Sequence, residues 1–98
     1  MTNNEGYNGW ANYETWLTAL WIDNDQGNYQ HRRDLTCQIK ESYPDDEDKQ
    51  AYKLGDLLKD WIEEQNPLTD QSSLFTDLIN AALSEVKWRE IAVNFLSE

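Results

Sequence analysis

Apolar residues recur at spacings of three and four along most of this chain, and the polar breaks between them divide it into four or five amphipathic segments. In the first, Tyr13, Trp16, Leu17, Leu20 and Trp21 form one apolar stripe. Asn12 precedes it as an N-cap whose side chain can accept a free backbone N–H, and Glu14 suits the positive end of the helix dipole. Gly27, able to adopt the left-handed conformation that ends helices, is the expected stop. A second helix is expected from about residue 28 to 43, with Leu35, Ile39 and Tyr43 facing inward and Pro44 ending it. In the third, Ala51, Leu54, Leu58, Trp61 and Ile62 follow the acids Asp45 to Asp48, which suit the start of a helix, and Asn66-Pro67 closes it. A fourth opens between Asp70 and Ser73 and carries Leu74, Phe75, Leu78, Ile79, Ala82 and Leu83 on a broad face. After a break around Val86-Lys87 the same period continues in Trp88, Ile91, Ala92, Phe95 and Leu96, as a short fifth helix.

No run alternates apolar and polar residues between turn signals, so no strand is expected. The pattern predicts an all-α fold: a flexible lead-in over residues 1–7, then a compact single domain over 8–98, with four to five helices around an aromatic-rich core. A chain of 98 residues, 39% of them hydrophobic, is near the small end of what buries one core. Aromatic residues, at 12%, help because each removes a large apolar area from water. There is no apolar run of about 20 residues and no basic start followed by an apolar stretch, so neither a membrane span nor a leader is expected. Cys37 is the single cysteine and has no internal partner, which fits a reducing compartment; cytoplasm is the expected location.

The run Asn8-Gly9-Trp10-Ala11-Asn12-Tyr13-Glu14-Thr15-Trp16, continued by Leu17, Leu20, Trp21 and Asp23-Asn24, resembles the start of a family of small proteins encoded by phages, plasmids and bacteria. The late segment from Ala81 to Ala92, with Trp88-Arg89-Glu90-Ile91, is similar to that family's C-terminal pattern, in which a polar cap precedes the tryptophan; here Lys87 stands in that place. The family carries no established activity, so the resemblance implies a shared scaffold and a mobile-element setting and assigns no residue a role. Within the run, Asn8-Gly9 reads as a turn that aims Trp10 either back onto helix one or outward as an aromatic contact.

Few constellations point to chemistry. Asp23 to Gly27 with Asp34 has the outline of a calcium loop, but glycine comes one place early and the twelfth residue is Asp rather than Glu, so a plain polar turn is expected. His31 and Cys37 are each alone and sit on different faces of the second helix, which leaves no nucleophile pair and no metal ligand set. With no phosphate loop and no nucleophile elbow, catalysis, metal and cofactor are not expected. His31-Arg32-Arg33 is the basic cluster, and Arg32 falls near the inner stripe, so its stem is expected to pack while its head meets an acid.

Charge changes the picture most. Nineteen acids against eight bases give −11, which disfavours nucleic acid and anionic membranes as partners and favours basic protein surfaces. From Glu41 to Glu64, nine acids against three lysines contribute −6. Asp56, Asp60 and Glu63 fall opposite Leu54, Leu58 and Trp61, with Glu64 at the edge of that face and Lys49 and Lys53 near its start. Four-residue spacing puts carboxylates about 6 Å apart along the axis, close to the phosphate repeat of a nucleic acid. The expected function is therefore that of a small acidic inhibitor mimicking DNA. Asp45, Asp46, Glu47, Asp48, Asp56, Asp60, Glu63 and Glu64 would engage a basic nucleic-acid-binding host protein such as a CRISPR effector or restriction enzyme. The alternative is a helical interaction or assembly module, homodimeric through Trp10 and helix one.

Overall fold

The structure, a computed structural model, describes residues 7–66 and 73–98. It is all-α: α1 (Tyr13–Asn24), α2 (Gln26–Ser42), α3 (Glu47–Glu64), α4 (Leu74–Ser84) and α5 (Trp88–Leu96). Of the lead-in expected over residues 1–7, only Tyr7 lies within the described residues, and it exchanges backbone hydrogen bonds with Trp10 at 2.7 and 2.8 Å. Asn8 and Gly9 between them both take positive φ, the conformation a two-residue Asn-Gly turn requires. The expected N-terminal boundary of the fourth helix at Asp70 also falls outside the described residues; Ser73 caps that helix by accepting the Thr76 N–H. No helix of the described residues is long and apolar enough to cross a membrane.

Local signals place most helix ends. Asn12 caps α1 by accepting from the Thr15 N–H at 2.9 Å, and Asp46 caps α3 by accepting from the Lys49 N–H at 3.0 Å. The junction of α1 and α2 differs from expectation. Asp25, not Gly27, breaks the chain: it ends α1 with extended φ and ψ, and its side chain accepts the Asn28 N–H to start α2. Gly27 is the second residue of α2, and an added Cβ there would stand 3.2 Å from the capping oxygen of Asp25. An Asp able to cap the next helix outweighs a glycine two residues on, and the calcium-loop outline disappears into helix.

The core is aliphatic rather than aromatic-rich. Ile22, Leu54, Leu58, Ile91 and Ala92 are essentially inaccessible, joined by Ala19, Ile39, Val86 and Phe95. Full burial of each large side chain here contributes about 1.5–3 kcal/mol. α5 lies chiefly on α3, close enough that an added Cβ at Gly55 would come within 3.3 Å of the Arg89 backbone nitrogen. Trp10, Trp61 and Trp88 are half-buried at the rim of this core, and Trp16 is half-buried too. Trp21 is 67% exposed. The stripe expected for α1 is rotated: its buried face is Thr15, Ala19 and Ile22, while Tyr13, Leu20 and Trp21 are exposed. Apolar residues lie on every side of α1, so spacing could not choose among them; small residues face inward because α5 and its preceding turn approach there.

α4 departs furthest from its expected place. Among its residues only Thr76 is fully buried, and most of the broad apolar face is in solvent.

Candidate functional site

All eight expected acids are exposed, but the structure divides them into two groups. Asp45 and Asp46 lie in the turn before α3, Asp46 engaged as its cap. Glu47 and Asp48 begin α3 on the side that looks toward α5, where they line a shallow cleft with Arg89, Val93 and Leu96. Asp48 accepts a hydrogen bond from the Arg89 guanidinium at 3.3 Å, with both side chains largely solvated. Asp60, Glu63 and Glu64 project from the other side of α3, away from buried Leu54 and Leu58, and Asp56 stands at the edge of that side, where it lines a groove with Gly55, Lys59, Lys87 and Arg89. The two ends of α3 are about 27 Å apart by helical rise. Asp45 to Asp48 therefore form a terminal patch, and the other four form the acidic face proper.

That face carries one base, exposed Lys59, a helical turn from both Asp56 and Glu63. None of its four acids joins an ion pair among the described residues. The last turn of α3 contains no base, so Glu63 and Glu64 stand against the negative end of the dipole, an arrangement that disfavours the helix and does nothing for packing. Lys49 and Lys53, which share the start of the face by helical projection, have aromatic neighbours: their ammonium groups lie 5.1 Å from the Tyr43 ring centre and 5.9 Å from that of Tyr52. The acids outnumber the bases most in the C-terminal half of α3, where Lys59 is the one interruption.

Trp10 turns inward, packed against the core and bordering a groove with Trp16, Ala19, Leu20 and Asp23. The aromatic residue that α1 presents to solvent is Trp21. Arg32 is structural, as its position in the stripe implies. It is 3% exposed, stacks 4.1 Å from the Phe95 ring centre and 4.6 Å from that of Tyr29, and pairs with Asp23 at 3.1 Å and Glu98 at 2.8 Å. The His31 ring meets Trp61 at 4.6 Å, and Cys37 is exposed. Among the described residues no group of three or more His, Cys, Asp or Glu is placed to hold a metal ion.

Two further features escaped the sequence. The first is the exposure of the apolar side of α4. The second is a lock between the chain's two ends. Asn12 Nδ2 donates to the Glu85 carbonyl at 2.7 Å, and Thr15 Oγ1 accepts the Lys87 N–H at 2.8 Å. The Glu90 carboxylate accepts the Ala11 N–H at 3.1 and 3.2 Å. Cap residues of α1 and the first turn of α5 satisfy one another's backbone groups, which ties the Asn-Tyr-Glu-Thr run to Trp-Arg-Glu-Ile.

These features define a small all-α domain whose α1 and α5 are joined by reciprocal capping, with an acidic exposed side on α3. A family model covers residues 3–96, nearly the whole chain, and the chain belongs to that family: DUF7249, a family of unknown function. No curated protein and no solved structure matches it.

Proposed function

We propose that this chain is a binding protein rather than a catalyst: a small acidic inhibitor that occupies a basic nucleic-acid-binding surface of a host defence protein in place of DNA. The observation that carries the proposal is the row Asp56, Asp60, Glu63 and Glu64, exposed and outside every ion pair of the described residues at the end of a helix whose dipole disfavours them. Carboxylates kept there against local stability fit an electrostatic role toward a partner. The net charge of −11 supplies long-range steering to a basic groove, and the resemblance to small proteins of phages and plasmids supplies a setting in which such inhibitors act. Asp45 to Asp48 extend the negative surface at the other end of α3.

The test is capture of bacterial nucleic-acid-binding proteins on the immobilised chain, with elution by rising salt and by competing DNA. Bound protein should be released by both, because exposed charge pairs are screened within about 10 Å at 0.1 M salt. The triple variant Asp56→Lys, Asp60→Lys, Glu63→Lys should lose it. Retention above about 1 M salt, or equal capture by the triple variant, overturns the proposal.

A further inference from the structure

We propose that the exposed face of α4 is a self-association surface, at which two copies of this chain pair antiparallel about a two-fold axis through Leu78. One side of α4 holds buried Thr76 and half-buried Ile79 and Leu83. Its other side carries Leu74 and Phe75, each 67% exposed, and Leu78, 57% exposed, followed by exposed Ala81 and Ala82. Residues 74, 78 and 81, and likewise 75, 78 and 82, follow the three- and four-residue steps by which one helix meets another. The bulk is uneven along the face, with large side chains in the first half and alanines in the second. An antiparallel pair centred on Leu78 sets Leu74 against Ala82 and Phe75 against Ala81 of the other copy, large into small at each level. A parallel pair would crowd the large residues together and leave the alanines facing across a gap.

Charge and area favour the same occupant. The chain carries −11, yet α4 holds a single charged residue, Asp77, and helical projection puts it to one side of the Leu74–Leu78 line. A basic partner is drawn to the acids of α3, whereas an uncharged face is where two acidic bodies can close without opposing carboxylates. At roughly 200 Å² per large side chain, Leu74, Phe75 and Leu78 expose about 350 Å² per copy. The pair buries about 700 Å² of apolar surface before its rim is added, short of the roughly 1,200 Å² of stable interfaces and in the range of transient ones, which predicts a weak, reversible dimer. Salt screens the mutual repulsion of the two bodies, so self-association strengthens as salt rises. This surface is independent of the acidic face, whose binding weakens as salt rises.

Sedimentation equilibrium of the full chain at about 0.1 and about 0.5 M salt tests the proposal. The expected result is a concentration-dependent dimer that tightens at the higher salt, and that Leu78→Glu weakens at least about tenfold while the helical melting curve is unchanged. In a Cys37→Ser background, Leu78→Cys should form a disulfide-linked dimer on mild oxidation, and exposed Asn80→Cys on the far side should not. A monomer at both salts overturns the proposal, as does a dimer indifferent to Leu78→Glu, which would point to α1 instead. Charge reversal on α3 should leave the dimer in place, so failure here and failure of the inhibitor proposal are separately visible.

Discussion

The hydroxyl of Thr15, wholly buried in the first turn of α1, accepts the backbone N–H of Lys87, 72 residues later in the chain, at 2.8 Å and so caps the start of α5. The same hydroxyl donates to Asn12 Oδ1 at 2.6 Å, and Asn12 in turn holds the Glu85 carbonyl. Lys87 has no capping side-chain bond of its own, and Glu90, three residues on, reaches across to Ala11 instead of back to Lys87. One polar cluster thus fixes where α5 starts, and α5 supplies Ile91, Ala92 and Phe95 to the core.

Thr15→Val keeps the shape of the side chain and removes the hydroxyl, leaving the Lys87 N–H without its partner. The expected loss is about 1–3 kcal/mol, the range for an unsatisfied buried group, measured by urea unfolding. Thr15→Ser should recover most of it. If valine and serine prove equally stable, the hydroxyl bridge does not hold the two ends.

How much of this was legible follows from what each signal encodes. Asn12, Asp46 and Ser73 announce helix starts because a cap acts within three residues, and the alternation of Leu54, Leu58, Ile91 and Phe95 with polar positions marks true inner faces. At the junction of α1 and α2, Asp25 and Gly27 both signal a boundary, and only the geometry shows that Asp25 makes it. α1 is apolar on most of its circumference, so no periodicity names its buried side; α4 is plainly amphipathic, and what spacing does not encode is that most of its apolar face stays in solvent. Of the candidate acids, exposure was legible, but their division across two sides of α3 emerges only once the position of α5 is known.

Trp21 separates these accounts by experiment. Spacing alone ranks it with the core tryptophans, while the structure leaves it 67% exposed. Trp21→Ala should change stability by no more than about 0.5 kcal/mol, as exposed substitutions do. A loss of about 3–5 kcal/mol, the range for a buried aromatic, would return Trp21 to the interior.

Arg32 should prove to act through its stem as much as its charge. Its guanidinium is enclosed by Phe95 and Tyr29, whereas Asp23 and Glu98 stay 42% and 53% exposed and would remain solvated if it were removed. Arg32→Met preserves most of the packed length and should cost about 1 kcal/mol. Arg32→Ala also opens a cavity and should cost about 2–4 kcal/mol. Equal losses in the two variants by urea unfolding would assign the effect to charge alone.

Glu63 and Glu64 place stability and function in opposition. Both lie in the last turn of α3, where the dipole favours cations and no base is present. Replacing both with lysine should therefore raise the melting temperature by a few degrees, on the order of 2 °C per site. The same variant should bind a basic partner more weakly, with a shallower dependence on salt, because two charges of the acidic row have changed sign. A protein that gains stability and loses binding together shows that these carboxylates serve the partner and not the fold. Gain without loss would assign Glu63 and Glu64 to the solvated surface and leave Asp56 and Asp60 to carry the contact.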